Sequence, residues 1–251
     1  MDNRLTSAKI KEIRSLQQKK FRAESSLFVV EGEKMVEEAL SSGFQVESVW
    51  KREEIGEVNM ARISSLSSPS PILAVLKQKN LFLSDIDIKK GCLYLLLDGV
   101  KDPGNLGTII RLADWFGVSA VFCSEDCVEL YNPKTVQATM GAIFRVKVCY
   151  TPLNKVIGIA EEKGIRTYGT FLDGQPVSDG FYKGISEGGL VVLGSESFGI
   201  SKDVSGLIPL DRHILIPSYD KKGNVRKDGQ GSESLNVATA CAAILSLIRA
   251  R

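Results

Sequence analysis

The chain has 251 residues, enough for two modest domains or one large one, and its apolar content is ordinary for a soluble globular protein. A formal net charge of +2 excludes a strongly basic nucleic-acid binder, so any RNA or DNA contact has to come from local patches. The first residues are charged and no apolar run approaches the roughly 20 residues of a membrane span, so the expectation is a cytoplasmic protein with no membrane partner.

Thr6 and Ser7 can cap a first helix whose apolar positions Ile10, Ile13 and Leu16 recur at helical spacing. Its other face is basic, with Arg4, Lys9, Lys11, Arg14, Lys19, Lys20 and Arg22 against Glu12 and Glu24. A solvated helix face accounts for such a run, and so does an RNA-facing patch formed by Arg14, Lys19, Lys20 and Arg22. Leu27 to Val30 reads as a strand, Glu33 to Leu40 as a helix, Gln45 to Trp50 as a strand and Pro71 to Leu76 as another. That alternation predicts a small α/β domain over residues 1–84. The pattern then dissolves into a connector, and a second domain is expected over 92–251.

The second domain opens with the apolar strand Leu93 to Leu97, which stops at Asp98 and Gly99. Pro103 and Gly104 force a turn, Asn105 stands near the start of a helix from Gly107 to Phe116, and Ala120 to Cys123 completes a β-α-β unit. A short helix after Pro133, a strand near Arg145 to Cys149, a helix from Leu153 to Lys163 and a strand from Ile165 to Thr170 follow. Leu190 to Gly199 and Ile214 to Ser218 each read as a buried parallel strand that breaks into glycine, serine or proline, the place where α/β proteins bind ligands. Ser218 to Glu233 is rich in glycine and charge and is expected to be a mobile surface loop. The last apolar series, Val237, Cys241, Ile244, Leu245 and Ile248, covers one face of a helix.

Several chemistries are poorly served by these residues. His213 is the only histidine and starts an apolar strand, so histidine-dependent nucleophile schemes have little support. There is neither a GxxxxGK[ST] phosphate loop nor a GxGxxG turn opening a β-α unit, which disfavours ATP and NAD. The five cysteines lack a disulfide-like or CxxC spacing and read as reduced structural thiols. Cys123 and Cys127 have no second thiol pair to close a tetrahedral site with, so no metal is expected.

Three segments taken in order, DGVKDPGNLGTIIRLADWFG (98–117), LVVLGSESFGIS (190–201) and IPS (216–218) with ESLNVATACAAIL (233–245), resemble the SpoU (TrmH) family of RNA ribose 2′-O-methyltransferases, of the SPOUT class. The resemblance runs from about Leu93 to the end, and SLFVVEGEKMVEEAL with SPILAVL in the first domain looks like the family's ribosomal-protein-like RNA-binding domain. It implies an α/β fold with a mostly parallel sheet in a C-terminal knotted, trefoil methyltransferase domain, a small N-terminal α/β RNA-binding domain, and a homodimer. It also implies S-adenosylmethionine as methyl donor, held by Thr170, Leu193, Gly194, Ile216 and Leu235, with Asn105, Arg111, Glu196, Ser234 and Asn236 at the catalytic positions. The substrate would be structured RNA, ribosomal ahead of transfer RNA, with Lys221, Lys222, Arg226 and Lys227 in the long 218–233 loop as further phosphate contacts. The competing reading is a non-catalytic RNA-binding protein of the same fold. Ser195 and Ser197 depart from the Asn and Gly that the family more often carries beside the glutamate, and the 218–233 loop is longer than the family's usual turn.

Overall fold

The computed structural model describes residues 5–177, 184–185, 188–226 and 234–250. The chain divides into two compact units, Met1–Asn80 with Glu129–Arg145, and Leu81–Val128 with Val146–Arg251. The spans 1–84 and 92–251 expected from the sequence do not include this exchange, in which Glu129–Arg145 packs with the first unit.

In the first unit, Thr6 caps α1 (Ser7–Ser15) by accepting a bond from the Lys9 backbone at 3.2 Å. A separate helix, α2 (Lys19–Ser25), follows because Gln18 is extended and breaks the turn. Strands β1 (Leu27–Glu31), β2 (Val46–Lys51) and β3 (Ile72–Lys77) form an antiparallel sheet in the order β1-β3-β2, with α3 (Glu33–Ser41) between β1 and β2. Central β3 is buried from Leu73 to Leu76, as a strand covered on both faces must be. Two short helices, α4 (Arg52–Ile55) and α5 (Glu57–Ile63), meet at Gly56, whose φ of +82° breaks the helical path. Ile10, Ile13 and Leu16 of the first helical segment pack with Trp50, Met60, Ile63, Leu73 and Val75.

The second unit holds a six-stranded sheet in which every recorded pairing is parallel. Its strands are β4 (Leu93–Asp98), β5 (Ala120–Cys123), β6 (Val148–Tyr150), β7 (Thr167–Pro176), β8 (Gly189–Gly194) and β9 (His213–Leu215), in the order β6-β5-β4-β8-β7-β9. Helix α6 (Pro103–Trp115) joins β4 to β5, and between β5 and β6 the chain leaves to form α7 (Pro133–Thr139) in the first unit. Helix α8 (Leu153–Glu162), the single turn α9 (Lys202–Ser205) and α10 (Val237–Arg249) complete the described helices. The core between sheet and α8 gathers Leu96, Phe122, Val156, Ile157 and Val192, and the connector contributes Ile86 and Ile88, so that stretch is partly core. His213 stacks on Phe171 with ring centroids 3.7 Å apart, a packing role.

Glu129–Arg145 completes the first core. The Tyr131 ring lies 4.5 Å from that of Phe28, and its hydroxyl donates to the Lys79 carbonyl and accepts from the Lys79 amide. Glu129 pairs with Arg22, whose guanidinium also donates to the Leu16 carbonyl at 2.6 Å. This corrects one expectation: Arg22 is 2% exposed and turned inward, so it offers nothing to an RNA phosphate. Burial lowers its pKa from the ordinary value, as desolvation of a cation must. Arg14, Lys19 and Lys20 are exposed as the basic face requires.

Arg22→Ala is expected to cost roughly 3 kcal/mol by stranding Glu129, near the lower end for a broken buried pair because Glu129 reaches solvent. Urea denaturation checks this; a change under 1 kcal/mol, the range of about 0–1 for surface pairs, would show that the contact is superficial.

Candidate active site

Parallel strands end at one edge of the sheet, and the register fixes what meets there. Asp98, the last residue of β4, is paired with Gly194, the last of β8, and Gly169 of β7 lies beside both Val192 and His213. Thr170, Leu193, Gly194 and Ile216 therefore share the carboxyl edge of the four adjacent strands β4, β8, β7 and β9. Leu193 is buried, Gly194 and Ile216 are half-buried, and the Thr170 hydroxyl donates to the Val192 carbonyl at 3.2 Å. Gly194 has no room for a side chain, since a Cβ would collide with the backbone of Gly199 and Ile200.

Each polar residue reaches this edge from a helix start or a tight loop. Asp102, not Asn105, is the cap of α6; its carboxylate accepts from the Asn105 backbone at 2.8 Å, and Pro103 occupies the first helical position. The helix thus begins four residues earlier than its apolar pattern suggests, leaving the Asn105 side chain free of capping duty. Its Nδ2 donates to Glu196, and its Oδ1 accepts from Asn236 Nδ2 at 3.0 Å. Asn236 in turn caps α10, its Oδ1 accepting from the Ala238 and Thr239 amides at 3.0 and 3.3 Å. The direction of this chain is forced: a carboxylate only accepts and backbone amides only donate, so both carboxamides can face one way only.

At the far ends of the same helices Arg249 donates to the carbonyls of Phe116 and Gly117 at 2.8 and 3.1 Å. Helices α6 and α10 are 13 residues each and lie side by side in the same direction, pinned at both ends. Arg111 is exposed and stands six residues beyond Asn105, about 120° around the helix and about 9 Å along it. It does not join the Asn105, Glu196 and Asn236 network. Ser234 and Leu235 are exposed on the approach to α10.

The loop after β8 is closed by reciprocal backbone bonds between Ser195 and Gly199 at 3.0 and 2.9 Å, and the Ser195 hydroxyl accepts from the Phe198 amide at 3.1 Å. Ser195, a departure from the family pattern, thus closes the turn that holds Glu196. Buried Asp98 ties the following residues to the sheet by accepting from the Ser201 amide at 2.7 Å. Neither Asp98 nor Asp102 is among the site residues expected from the sequence; an aspartate just before a proline-started helix is the available signal for the second. Behind the site, Gly99 turns at φ +71° and donates to the Ser124 hydroxyl. The Lys101 ammonium and the Ser124 hydroxyl hold the Asp126 carboxyl below the usual carboxylate range. A bond from Cys123 brings the neighbouring Cys127 thiol down to about 7.

The segment expected to be a loop from Ser218 begins as a small hairpin. Asp220 accepts from the Lys222 and Asn224 amides at 2.8 and 2.9 Å, Tyr219 bridges to Val225, and Gly223 turns at φ +83°. The carboxylate replaces solvent as partner for these amides, which is why 218–226 has a defined turn. Lys221 and Lys222 are exposed at its tip and Arg226 is half-buried at its base. Lys227 lies outside the described residues. No group of three or more metal-ligand side chains occurs among the described residues.

The fold is shared with solved methyltransferases. The chain matches a TrmH-family putative RNA methyltransferase from Porphyromonas gingivalis at 32% identity and a TM-score of 0.80, covering 98% of this chain and 99% of that one. It matches an AdoMet-bound rRNA methyltransferase from Sinorhizobium meliloti at 28% identity and 0.83, covering 99% and 96%. The fold is that of an α/β methyltransferase. The model described as the SpoU rRNA Methylase family matches residues 92–246, and that of the MRM3-like substrate binding domain matches 7–79. The chain belongs to the SpoU rRNA methylase family. Among curated relatives, the 23S rRNA (guanosine(2553)-2'-O)-methyltransferase RlmP of Bacillus subtilis is 30% identical over 259 residues, with 96% of each chain covered.

Asn236 serves both as cap and as network donor, and two variants separate the roles. Asn236→Ala is expected to cost about 1 kcal/mol of stability through the lost cap. Asn236→Asp keeps the cap but removes the donor to Asn105, so it should stay near wild-type stability while methyl transfer falls in both; thermal melts with a tritiated-methyl assay check this.

Proposed function

We propose that this protein transfers a methyl group from S-adenosylmethionine to a ribose 2′-hydroxyl of ribosomal RNA, acting in the cytoplasm as a homodimer. The observation that carries the reading is the one-way bond chain from α10 through Asn236 and Asn105 to Glu196, set at the carboxyl edge of the sheet. The residues at that edge suit the donor: Leu193, Ile216 and Leu235 are apolar, Gly194 exposes backbone, and Ile216 lies just beyond the strand pairing. Adenine and a thioether chain require such an apolar slot with a few fixed polar groups. A trefoil knot around the donor, as the family resemblance implies, is part of this reading.

When bound, the donor supplies an electrophilic methyl on a positively charged sulfur, so the protein's task is chiefly to hold the hydroxyl in line with it. Positioning of this kind is worth roughly 7–11 kcal/mol in favourable cases. Glu196, engaged by Asn105, orders the loop beside the hydroxyl. Arg111 grips the neighbouring phosphate and stabilises the developing alkoxide, the proton leaving through that phosphate or water. Ser234 orients Arg111 or the substrate. Because Arg111 takes no part in its own chain's Asn105–Glu196–Asn236 network, it is assigned to the site of the second subunit, an assignment that requires the homodimer.

The test is incubation of the protein with labelled donor and RNA from a strain lacking it, followed by mass mapping of ribose methylation in ribosomal and transfer fractions. Donor binding by calorimetry without transfer to either RNA would favour a non-catalytic binder. Arg111→Ala should abolish transfer and leave donor affinity within a few-fold; a large loss of donor binding in a folded variant contradicts the assignment. Light scattering decides the dimer.

The hairpin and the residue after it, with Lys221, Lys222, Arg226 and Lys227, is assigned to phosphates beside the target ribose. Replacing all four with Gln should flatten the slope of log affinity against log salt by about 3 units, at roughly 0.7 per contact to a single strand. An unchanged slope with unchanged turnover would remove the hairpin from the RNA site.

A further inference from the structure

Phe198 is the most exposed large apolar side chain recorded in this protein, at 91%, and it sits on the same turn as Glu196. Exposure here is built in. The turn is closed by the two backbone bonds between Ser195 and Gly199, and the Ser195 hydroxyl holds the Phe198 amide itself. Gly199 takes φ +66°, and Gly194 packs against the backbone of Gly199 and Ile200 with no space to spare. A ring presented on so constrained a turn has little freedom to fold back onto its own chain. Two residues of chain span at most about 7 Å, so the ring stays within one nucleotide's reach of Glu196.

We propose that Phe198 is a positioning residue for the RNA: its ring stacks on the base of the methylated nucleotide or of its immediate neighbour, and so fixes the ribose against the Asn105–Glu196 pair. This rests on the RNA methyl-transfer reading given above. The physical argument is that ribose carries no sequence information and little shape of its own, so an enzyme acting on one ribose must hold the attached base or its neighbour. Single-stranded and splayed-out RNA bases are held by aromatic faces, in a way that tolerates any base because each has a π-face. The ring itself carries no hydrogen-bonding group, which makes its contact one of placement and not of base identity.

The test compares Phe198→Ala, Phe198→Leu, Phe198→Tyr and Phe198→Trp in the full chain. With rRNA from a deletion strain, Phe198→Ala and Phe198→Leu should raise KM for RNA by about thirtyfold, the middle of the range for one stacked base, while Phe198→Tyr and Phe198→Trp stay close to wild type. Donor affinity by calorimetry, melting temperature and oligomeric state should be unchanged throughout. In parallel, rRNA transcribed with 4-thiouridine is irradiated with long-wavelength ultraviolet light, and the crosslinked peptide is mapped by mass spectrometry. Attachment at Phe198 in the wild type, lost in Phe198→Ala, supports stacking. Equal KM for Ala and wild type, or rescue by Leu as well as by Tyr, overturns it. A Phe198→Ala protein that becomes monomeric by light scattering overturns it too, and makes the ring a subunit contact. A wild-type protein that crosslinks at Phe198 without methylating defeats the transfer reading while sparing the stacking; one that methylates with no Phe198 effect does the reverse.

Discussion

The carboxamide of Asn105 is the joint on which the site depends. It gives a hydrogen to Glu196 and takes one from Asn236, so a single side chain fastens the glycine turn after β8 to the start of the last helix. An aspartate there would lose the donor, and a leucine of similar volume would lose both bonds. Neither partner is deeply buried, so the chain's value lies less in net stability than in holding three separate segments in one arrangement. The sheet supplies the frame, because β4 and β8 run in register to the same final pair, Asp98 and Gly194.

Helices α6 and α10 convert that joint into a rigid unit. With Asn105 and Asn236 bonded at their starts and Arg249 reaching the end of α6, neither can slide or rotate without breaking bonds at one end. Leu106, Ile109 and Ile110 of α6 and Val237, Cys241 and Leu245 of α10 are buried. Burial pushes the Cys241 thiol up to about 12, in keeping with an inert packing group. The reactive edge is therefore set by packing far from it as well as by contacts within it.

Much of this was legible in the sequence, for a local reason. Parallel strands are recognisable as short apolar runs, whereas Asn105, Glu196 and Asn236 are nameable only through the resemblance of the three ordered segments to the SpoU family. What escaped was set by distant partners or by competition between caps. Arg22 reads as one of a basic run, and only Glu129, 107 residues away, draws it inward. Asn105 stands near the expected helix start at Gly107, yet Asp102 and Pro103 begin α6 four residues sooner. Glycine and charge in 218–226 suggest looseness, whereas one carboxylate, Asp220, gathers the backbone amides of Lys222 and Asn224 into a turn. Helices α4 and α5 are too short for a periodicity to show.

The excursion of Glu129–Arg145 into the first unit bears on how the chain is made. A ribosome releases residues in order, and domains tend to fold as units while synthesis continues. Here the amino-terminal 80 residues cannot finish that way: Phe28 still lacks the Tyr131 ring, and Arg22 its carboxylate, until about 50 more residues of strand and helix have been released. During that interval β4, α6 and β5 emerge with no partner on the β8 side, since β8 is later still. Each unit thus completes its core only after residues that follow the other unit's first strands have been made, so the two units mature together and not one after the other.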